Sequence, residues 1–459
     1  MTLAESSALD PAAPAADRRF LGHPIGLAYL AFTEAWERFS FYGMQALLVL
    51  YMVDRLLRPG HFGKVWGFGA LRAALEQVAG PLSNQALSSQ VFGLYTALVY
   101  LTPVFGGLAG DRWLGRRGAV TLGAAIMAAG HFLMAVESAF LVALALLIVG
   151  AGLVKGNIAS QVGGLYSEHD PRRDNAFQIF VLSINVGVVA SPLVCGTLGE
   201  VYGWHYGFAA AGVGMLVGLA IYVAGRRHLP PDVIRRSAKT HETVRLTGPE
   251  WRAIIALLVL MPILAVAFVA NNQGFNVYLI WAKDYAALNI AGFQMPVTWL
   301  LTISSINAMI ALAVVAWFWR RMTRRGVTPH EITKLAIGCA LYAVCYGAVA
   351  AAAAITQKSG GKVPVPLLTL FDFVGAIGYA NFLPIALALC ARAAPKAVNA
   401  TMIGVFYLLF VMTNLLVGWL GGLYGNMSHG AFWALHASLC AASAVVLVAL
   451  ARPLRRALG

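Results

Sequence analysis

Long apolar runs dominate this chain, and its polar residues gather in short clusters between them. Each run is long enough for a helix to cross roughly 30 Å of hydrocarbon. The runs lack the alternation of membrane barrels, so helices must satisfy their backbone groups in lipid. The pattern predicts an all-α membrane protein with about twelve spans, roughly over 25–53, 89–110, 118–137, 140–165, 175–198, 206–225, 252–282, 297–319, 333–356, 365–391, 398–423 and 430–451.

Composition supports lipid as the solvent of most side chains. Hydrophobic residues make up 59% of the 459 residues and charged residues only 11%, whereas a soluble domain carries about 25% charged residues. The formal net charge is +14, but the basic residues lie between apolar runs and not along one helix face. This distribution argues against a nucleic-acid partner and indicates a lipid bilayer.

The distribution of basic residues also predicts the topology. Most of the 33 lysines and arginines fall in every second connection, counting from the N-terminus. The positive-inside rule therefore places both termini in the cytoplasm. We expect a bacterial inner (plasma) membrane protein.

One polar stretch divides the chain into two similar parts. Residues 1–22 form a cytoplasmic tail without an apolar signal core, and residues 226–250 form a linker that contains Pro230 and Pro231. The linker separates six spans in 23–225 from six spans in 251–459. Two such six-helix halves around a central cavity are typical of the major facilitator superfamily fold. The first long loop, roughly 54–88, has the composition of a short amphipathic element.

Enzymatic chemistry has no support in the sequence. The five cysteines lie in apolar segments without metal-ligand spacing, and the chain shows no nucleophile–base spacing and no phosphate-binding loop. We expect neither an enzyme nor a bound metal or cofactor.

The first span carries an unusual set of charged residues. Glu34, Arg38 and Tyr42 recur every four residues, and Glu37 lies one step away. Charges at this depth are costly and mark functional sites. Two carboxylates that share one guanidinium cannot both be neutralised, so one is a candidate proton acceptor. The alternative is a structural ion pair that stabilises the bundle.

Four segments resemble the proton-dependent oligopeptide transporter family. Residues 34–43 contain Glu-x-x-Glu-Arg-Phe-x-x-Tyr-Gly, similar to the first-helix signature of that family. Residues 106–117 resemble the facilitator loop between the second and third helices, and residues 152–158 resemble the fourth-helix segment. Residues 180–187 are similar to the second family signature. The four matches follow one another in the family order across the N-terminal half.

The resemblance implies roles for residues of the N-terminal half. Glu34 and Glu37 would couple transport to protons, and Arg38 and Lys155 would hold the carboxylate end of a peptide. Neutral hydrogen bonds to the substrate would come from Tyr42, Tyr100 and Asn185. A conformational latch would be formed by Asp111, Arg112, Arg116 and Arg117.

The C-terminal half departs from the family in its charges. Asn272 stands where the family has a helix-seven glutamate, and Tyr379 stands where it has a helix-ten glutamate. Gln273 and Asn307 match polar family positions, and all four residues are candidate substrate contacts. With the helix-ten acid missing, Lys155 is expected to pair with Glu34 or Glu37.

A single acid, Asp372, lies two turns before Tyr379 on the same face. Asp372 could replace the missing acid, but the preferred interpretation is a helix-end carboxylate in water.

These features predict a secondary active transporter of alternating access, which carries di- and tripeptides or peptide-like solutes by proton symport as a monomer. Two alternatives remain: transport of a non-peptide small anion on the same fold, and a membrane receptor that does not transport.

Overall fold

A computed structural model describes residues 17–167, 170–232, 234, 246–395 and 398–458. Most of the predicted tail and much of the predicted linker lie outside this part of the chain. The helices, numbered α1 to α16 in chain order, are Ile25–Tyr51, Phe68–Ala79, Asn84–Ala109, Gly115–Leu133, Phe140–Gly163, Arg173–Ser191, Trp204–Gly225, Gly248–Asn272, Val277–Tyr285, Trp299–Arg324, Glu331–Ser359, Val365–Ala380, Leu383–Ala393, Asn399–Gly421, His429–Ala449 and Ala451–Leu458.

Ten segments of the described chain are long and apolar enough to cross a membrane. One of them, Asn84–Leu133, contains both α3 and α4, which meet at Gly115 with φ near +69°. Helix α1, with 27 residues, is also long enough to cross a membrane, but it carries three charged residues. Counting α1 and separating α3 from α4 gives twelve spans.

The helices pack in two groups that follow chain order. Among the first spans, α1 packs on α6 and α7, and α5 packs between α3 and α4. Among the last, α8 packs on α14 and α15, and α11 packs on α12 and α15. Helix α3 meets α14 and α6 meets α10 across the two groups. The domain limits 23–225 and 251–459 remain predictions.

Two of the predicted spans are interrupted. The span expected over 252–282 breaks after Asn272, where a 3-10 turn separates α8 from α9. The span expected over 365–391 breaks between α12 and α13, where Pro384 stands in the first turn of α13 and has no backbone N–H to continue the helix. The loop expected over 54–88 contains α2, which confirms a short helical element.

Short strands lie at one end of the bundle. Strand β1 (Ala286–Ala287) pairs in parallel with β4 (Val363–Pro364), and β2 (Asn289–Ile290) pairs antiparallel with β3 (Phe293–Gln294). We call the end that carries these strands and residues 57–83 the loop side. The opposite end, which carries 226–232, is the linker side.

Candidate functional site

A buried charge cluster occupies the middle of α1. The Nε atom of Arg38 lies 3.0 Å from a carboxylate oxygen of Glu34 and 2.6 Å from one of Glu37. The carboxylates are buried, and the Arg38 side chain retains 12% exposure. One guanidinium therefore faces two carboxylates, which leaves one negative charge unbalanced within the trio. A proton taken up by either carboxylate would restore neutrality.

Close packing of α6 holds this part of α1. A Cβ atom on Gly187 would overlap the Ala35 carbonyl oxygen and would lie 2.9 Å from Cβ of Arg38. Only glycine permits the two backbones to approach this closely. The helix of the second signature segment thus supports the first signature segment at Arg38.

Lys155 lies near this cluster but does not pair with it. Its Nζ atom is 3.8 Å from the centre of the Phe41 ring and 5.3 Å from that of Tyr100. No hydrogen-bond acceptor meets this buried nitrogen, and no carboxylate lies within 4.0 Å of it in the described part of the chain. The expected ion pair with Glu34 or Glu37 is therefore wrong, because the aromatic faces occupy that place.

Phe41 was not anticipated from the sequence. Its ring lies 3.8 Å from Lys155 Nζ and 5.7 Å from Arg38 Cζ, so it contacts both cations. The available signal was its position, three residues after Arg38 on the same helix face.

An aromatic row connects the charge cluster to the C-terminal helices. Tyr100 stacks on Phe410 of α14 with ring centres 4.9 Å apart. Phe410 meets Phe268 of α8 edge to face, and Phe268 stacks with Tyr379 of α12 at 6.3 Å. The structure thus places Tyr100 and Tyr379 at the two ends of one row. Tyr42 makes a separate contact across the groups, with Phe275 at 5.8 Å.

The predicted amide contacts are bonded within the protein. Asn272 donates to the Asn414 side chain (3.3 Å), and Gln273 donates to the Val417 carbonyl (3.1 Å). Asn185 donates to the Val181 carbonyl of its own helix (2.9 Å). These three amides are not brought together around Arg38 by any described contact. Their role at the substrate remains a prediction.

Asp372 is half-buried and hydrogen-bonded within the protein, which corrects the preferred interpretation of a helix-end acid in water. It lies in the middle of α12, where its two carboxylate oxygens accept hydrogen bonds from Ser304 (2.8 Å) and Asn307 (2.7 Å) of α10. The sequence could not show this because Ser304 and Asn307 are more than sixty residues away.

The predicted latch residues lie on the linker side. Arg116 pairs with Asp111 at 3.1 Å. Arg117 donates to the carbonyl groups of Leu229 and Pro230, and its backbone N–H donates to Asp232. Arg112 is exposed. These hydrogen bonds connect residues 229–232, the described start of the linker, to the start of α4.

Polar contacts on the loop side join the two helix groups, and the sequence interpretation missed them. Lys283 of α9 pairs with Asp54, which follows α1, at 2.5 Å. Glu200 accepts hydrogen bonds from the backbone N–H groups of Val297 (2.8 Å) and Thr298 (3.0 Å) and from the Thr298 hydroxyl (2.6 Å). Glu200 thus binds the two residues that precede α10 from the other group of helices. The sequence feature that could have indicated this contact is Glu200 itself, a carboxylate at the end of an apolar span.

Comparisons with known proteins agree with this architecture. The chain is 28% identical to the uncharacterized transporter YclF of Bacillus subtilis, with 89% of each chain covered. It is 27% identical to the peptide transporter YePEPT of Yersinia enterocolitica, with 88% of this chain and 89% of the relative covered. A crystal structure of a mutant of peptide transporter POT in complex with alafosfalin superposes with a TM-score of 0.83 at 27% identity, covering 95% of this chain and 96% of that one.

The family model described as POT family matches residues 117–248 and 237–431, which together span more than half of the chain. The chain therefore belongs to the POT family.

Proposed function

We propose that this protein is a proton-coupled symporter of di- and tripeptides or peptide-like solutes that works by alternating access. The observation that carries the proposal is the shared guanidinium of Arg38, which meets Glu34 and Glu37 in a buried site. A trio with one unbalanced carboxylate takes up or releases a proton at small cost, whereas an isolated buried carboxylate does not. The peptide part of the proposal is supported by relatives that are peptide transporters.

Arg38 and Lys155 are the proposed anchors of the substrate carboxylate. Lys155 is buried without a hydrogen-bond acceptor, which makes it the cation most ready to take a new anionic partner. When a substrate carboxylate approaches Arg38, it competes with Glu34 and Glu37 for the same guanidinium. Protonation of one glutamate would free the guanidinium for the substrate, so proton and substrate binding support each other.

The remaining candidate contacts would position neutral groups of the substrate. Tyr42 lies one turn from Arg38 on α1, and Tyr100 lies beside Lys155. Tyr379 lies at the end of the aromatic row that is formed by the C-terminal helices. We assign the protein to the bacterial inner membrane with both termini in the cytoplasm, as a monomer.

Transport of a non-peptide small anion is the second candidate. The observation that favours it is the presence of two cations, Arg38 and Lys155, while the neutral residues Asn272 and Tyr379 stand where the family has acids in the C-terminal half. A transporter of peptides and a transporter of anions differ in which unlabelled compounds inhibit the uptake of a labelled substrate.

Competition in proteoliposomes separates the two. Uptake of a radiolabelled dialanine should fall when unlabelled di- or tripeptides are added and should not respond to equal concentrations of acetate, sulfate or nitrate. Inhibition by the anions alone would support the second candidate.

A further inference from the structure

One face of α10 changes from apolar to basic along its length. Its residues follow one another at spacings of three or four, which places them in one row on a helix. We call this row the outer face of α10, and it consists of Ile306, Ile310, Val314, Trp317, Arg321 and Arg324. The four apolar residues expose between 42% and 62% of their surface, and both arginines are exposed.

The opposite side of α10 sets the rotation of the helix. Ala311 and Val315 are buried there and pack against α12. Trp319 lies on the same side and donates its ring N–H to the Asn381 side chain (2.8 Å). The Nζ atom of Lys334 on α11 is 5.0 Å from the centre of the Trp319 ring. Because this side packs into the bundle, the outer face is turned toward the lipid.

The apolar part of the outer face has the length of one lipid leaflet. Ile306 and Trp317 are separated by about 17 Å along the helix axis, at about 1.5 Å per residue. Half of a hydrocarbon core of roughly 30 Å is about 15 Å. Trp317 therefore lies near the boundary between hydrocarbon and headgroups, where tryptophan is enriched in membrane proteins. Arg321 and Arg324 follow at the level of the headgroups.

The end of α10 carries a positive charge that the described residues do not balance. Arg320 and Arg325 flank the outer face arginines, Arg321 and Arg324. None of these arginines forms an ion pair within 4.0 Å in the described part of the chain. Glu331, the acid that begins α11, is already paired with an arginine of α13 (2.6 Å). The C-terminus of a helix carries only about half a negative charge, so a surplus of positive charge remains.

The order of the two surfaces selects the kind of partner. A soluble acidic molecule would meet the arginines but not the apolar residues, which belong to the membrane-spanning segment Trp299–Arg324. A phospholipid offers an acyl chain and a phosphate group in the same order as the outer face. The planar guanidinium of arginine binds phosphate through two parallel hydrogen bonds. Clusters of basic residues at the end of a span attract lipids with a net negative charge.

We infer that the outer face of α10 binds an anionic phospholipid of the leaflet on the linker side. Its phosphate group lies at Arg321 and Arg324, and an acyl chain lies along Ile306, Ile310 and Val314. This partner is part of the membrane, so the inference does not depend on the proposed transport function.

Brominated lipids test the contact through Trp317, because bromine on an acyl chain quenches the fluorescence of a tryptophan that it touches. The full-length protein is reconstituted in phosphatidylcholine vesicles that contain increasing fractions of brominated phosphatidylglycerol or, in parallel, of brominated phosphatidylcholine. The difference between the unmodified protein and Trp317→Phe isolates Trp317 among the 11 tryptophans. Half-maximal quenching should need at least about five times less of the anionic lipid. Equal quenching by the two lipids overturns the inference.

Two paired substitutions separate this face from the general charge of the linker side. Arg321→Gln with Arg324→Gln should bring the two brominated lipids close to equal quenching of Trp317. The matched control, Arg226→Gln with Arg227→Gln, removes two exposed arginines that follow α7 on the same side. This control should preserve the preference for the anionic lipid. An equal loss in both double variants would show attraction to surface charge in general and would contradict a site on α10.

Three further results distinguish the lipid from other occupants of the face. Arg321→Lys with Arg324→Lys keeps both charges and should keep most of the preference, whereas a loss as large as in the glutamine variant contradicts recognition by charge. Glycerol 3-phosphate carries the phosphate without acyl chains and should not relieve the quenching. Relief would show that the arginines bind free phosphate, and it would overturn the inference. Quenching of Trp317 by neither lipid would mean that a second copy of the chain covers the face, which also overturns it.

Discussion

At the scale of single residues, the proposed function rests on one arginine between two acids. The Arg38 guanidinium lies within ion-pair distance of both Glu34 and Glu37, so one positive charge serves two carboxylates. Lys155 stands apart from this trio on the Phe41 ring. Because Arg38 pairs with the two acids and Lys155 does not, we propose that Arg38 couples proton binding to substrate binding, while Lys155 adds attraction for an anionic group.

Glu37→Gln removes the more completely buried acid of the pair while preserving its shape. The trio then has no unbalanced carboxylate, so uptake against a concentration gradient should disappear while exchange of substrate between the two sides persists. Counterflow and gradient-driven uptake in proteoliposomes measure the two activities. Glu76→Gln on α2 is the control. Normal gradient-driven uptake in both Glu34→Gln and Glu37→Gln would remove these acids from the coupling.

Arg38→Lys tests whether charge alone is sufficient. A guanidinium offers a planar fork of donors that can bind a carboxylate through two hydrogen bonds, whereas an ammonium is a single point charge. Affinity for dialanine should fall at least about ten-fold, measured by competition for uptake. Arg58→Lys in the loop-side connection controls for the substitution. Unchanged affinity would limit Arg38 to the helix ion pair.

At the scale of helices, the sequence predicts what is local and misses what is distant. The twelve apolar runs and the spacing of Glu34, Arg38 and Tyr42 are properties of neighbouring residues, so both could be predicted. The hydrogen-bond partners of Asp372 come from α10, and the place of Lys155 depends on rings from α1 and α3. Such partners become visible only when the helices are packed.

The contact between α3 and α5 determines where Lys155 lies relative to Tyr100. A Cβ atom on Gly106 would overlap the Gly152 backbone, whereas one on Gly107 would lie 3.9 Å from the nearest atom. Gly106→Ala should therefore destabilise the protein by about 1–3 kcal/mol and weaken substrate binding. Gly107→Ala, the adjacent control, should do neither. Thermal unfolding in detergent compares them, and equal melting temperatures would contradict the tight packing.

At the scale of the whole molecule, the structure is closed on the loop side. Asp54 with Lys283, and Glu200 with the start of α10, hold the two helix groups together there. In the proposed orientation, with both termini in the cytoplasm, the loop side would face the outside of the cell. The described state would then be closed to the outside, and opening requires these contacts to break.

Glu200→Ala removes three hydrogen bonds between the groups, so the loop side should open more often. Spin labels at Val136→Cys and Ile290→Cys, both exposed on that side, should report a longer distance population in a background without the native cysteines. Glu76→Ala, which loses the pair with Arg72 and the hydrogen bond from the Leu82 N–H, both within the first group of helices, should leave the distances unchanged. Identical distance distributions in Glu200→Ala and its parent would exclude Glu200 from the closure.

The most direct test of proton-coupled peptide transport is accumulation of labelled dialanine in proteoliposomes under an imposed pH gradient. The protein should concentrate dialanine on the alkaline side above its external concentration, and a protonophore should abolish the accumulation. Uptake that only reaches the external concentration, and that is the same with and without the gradient, would contradict proton coupling.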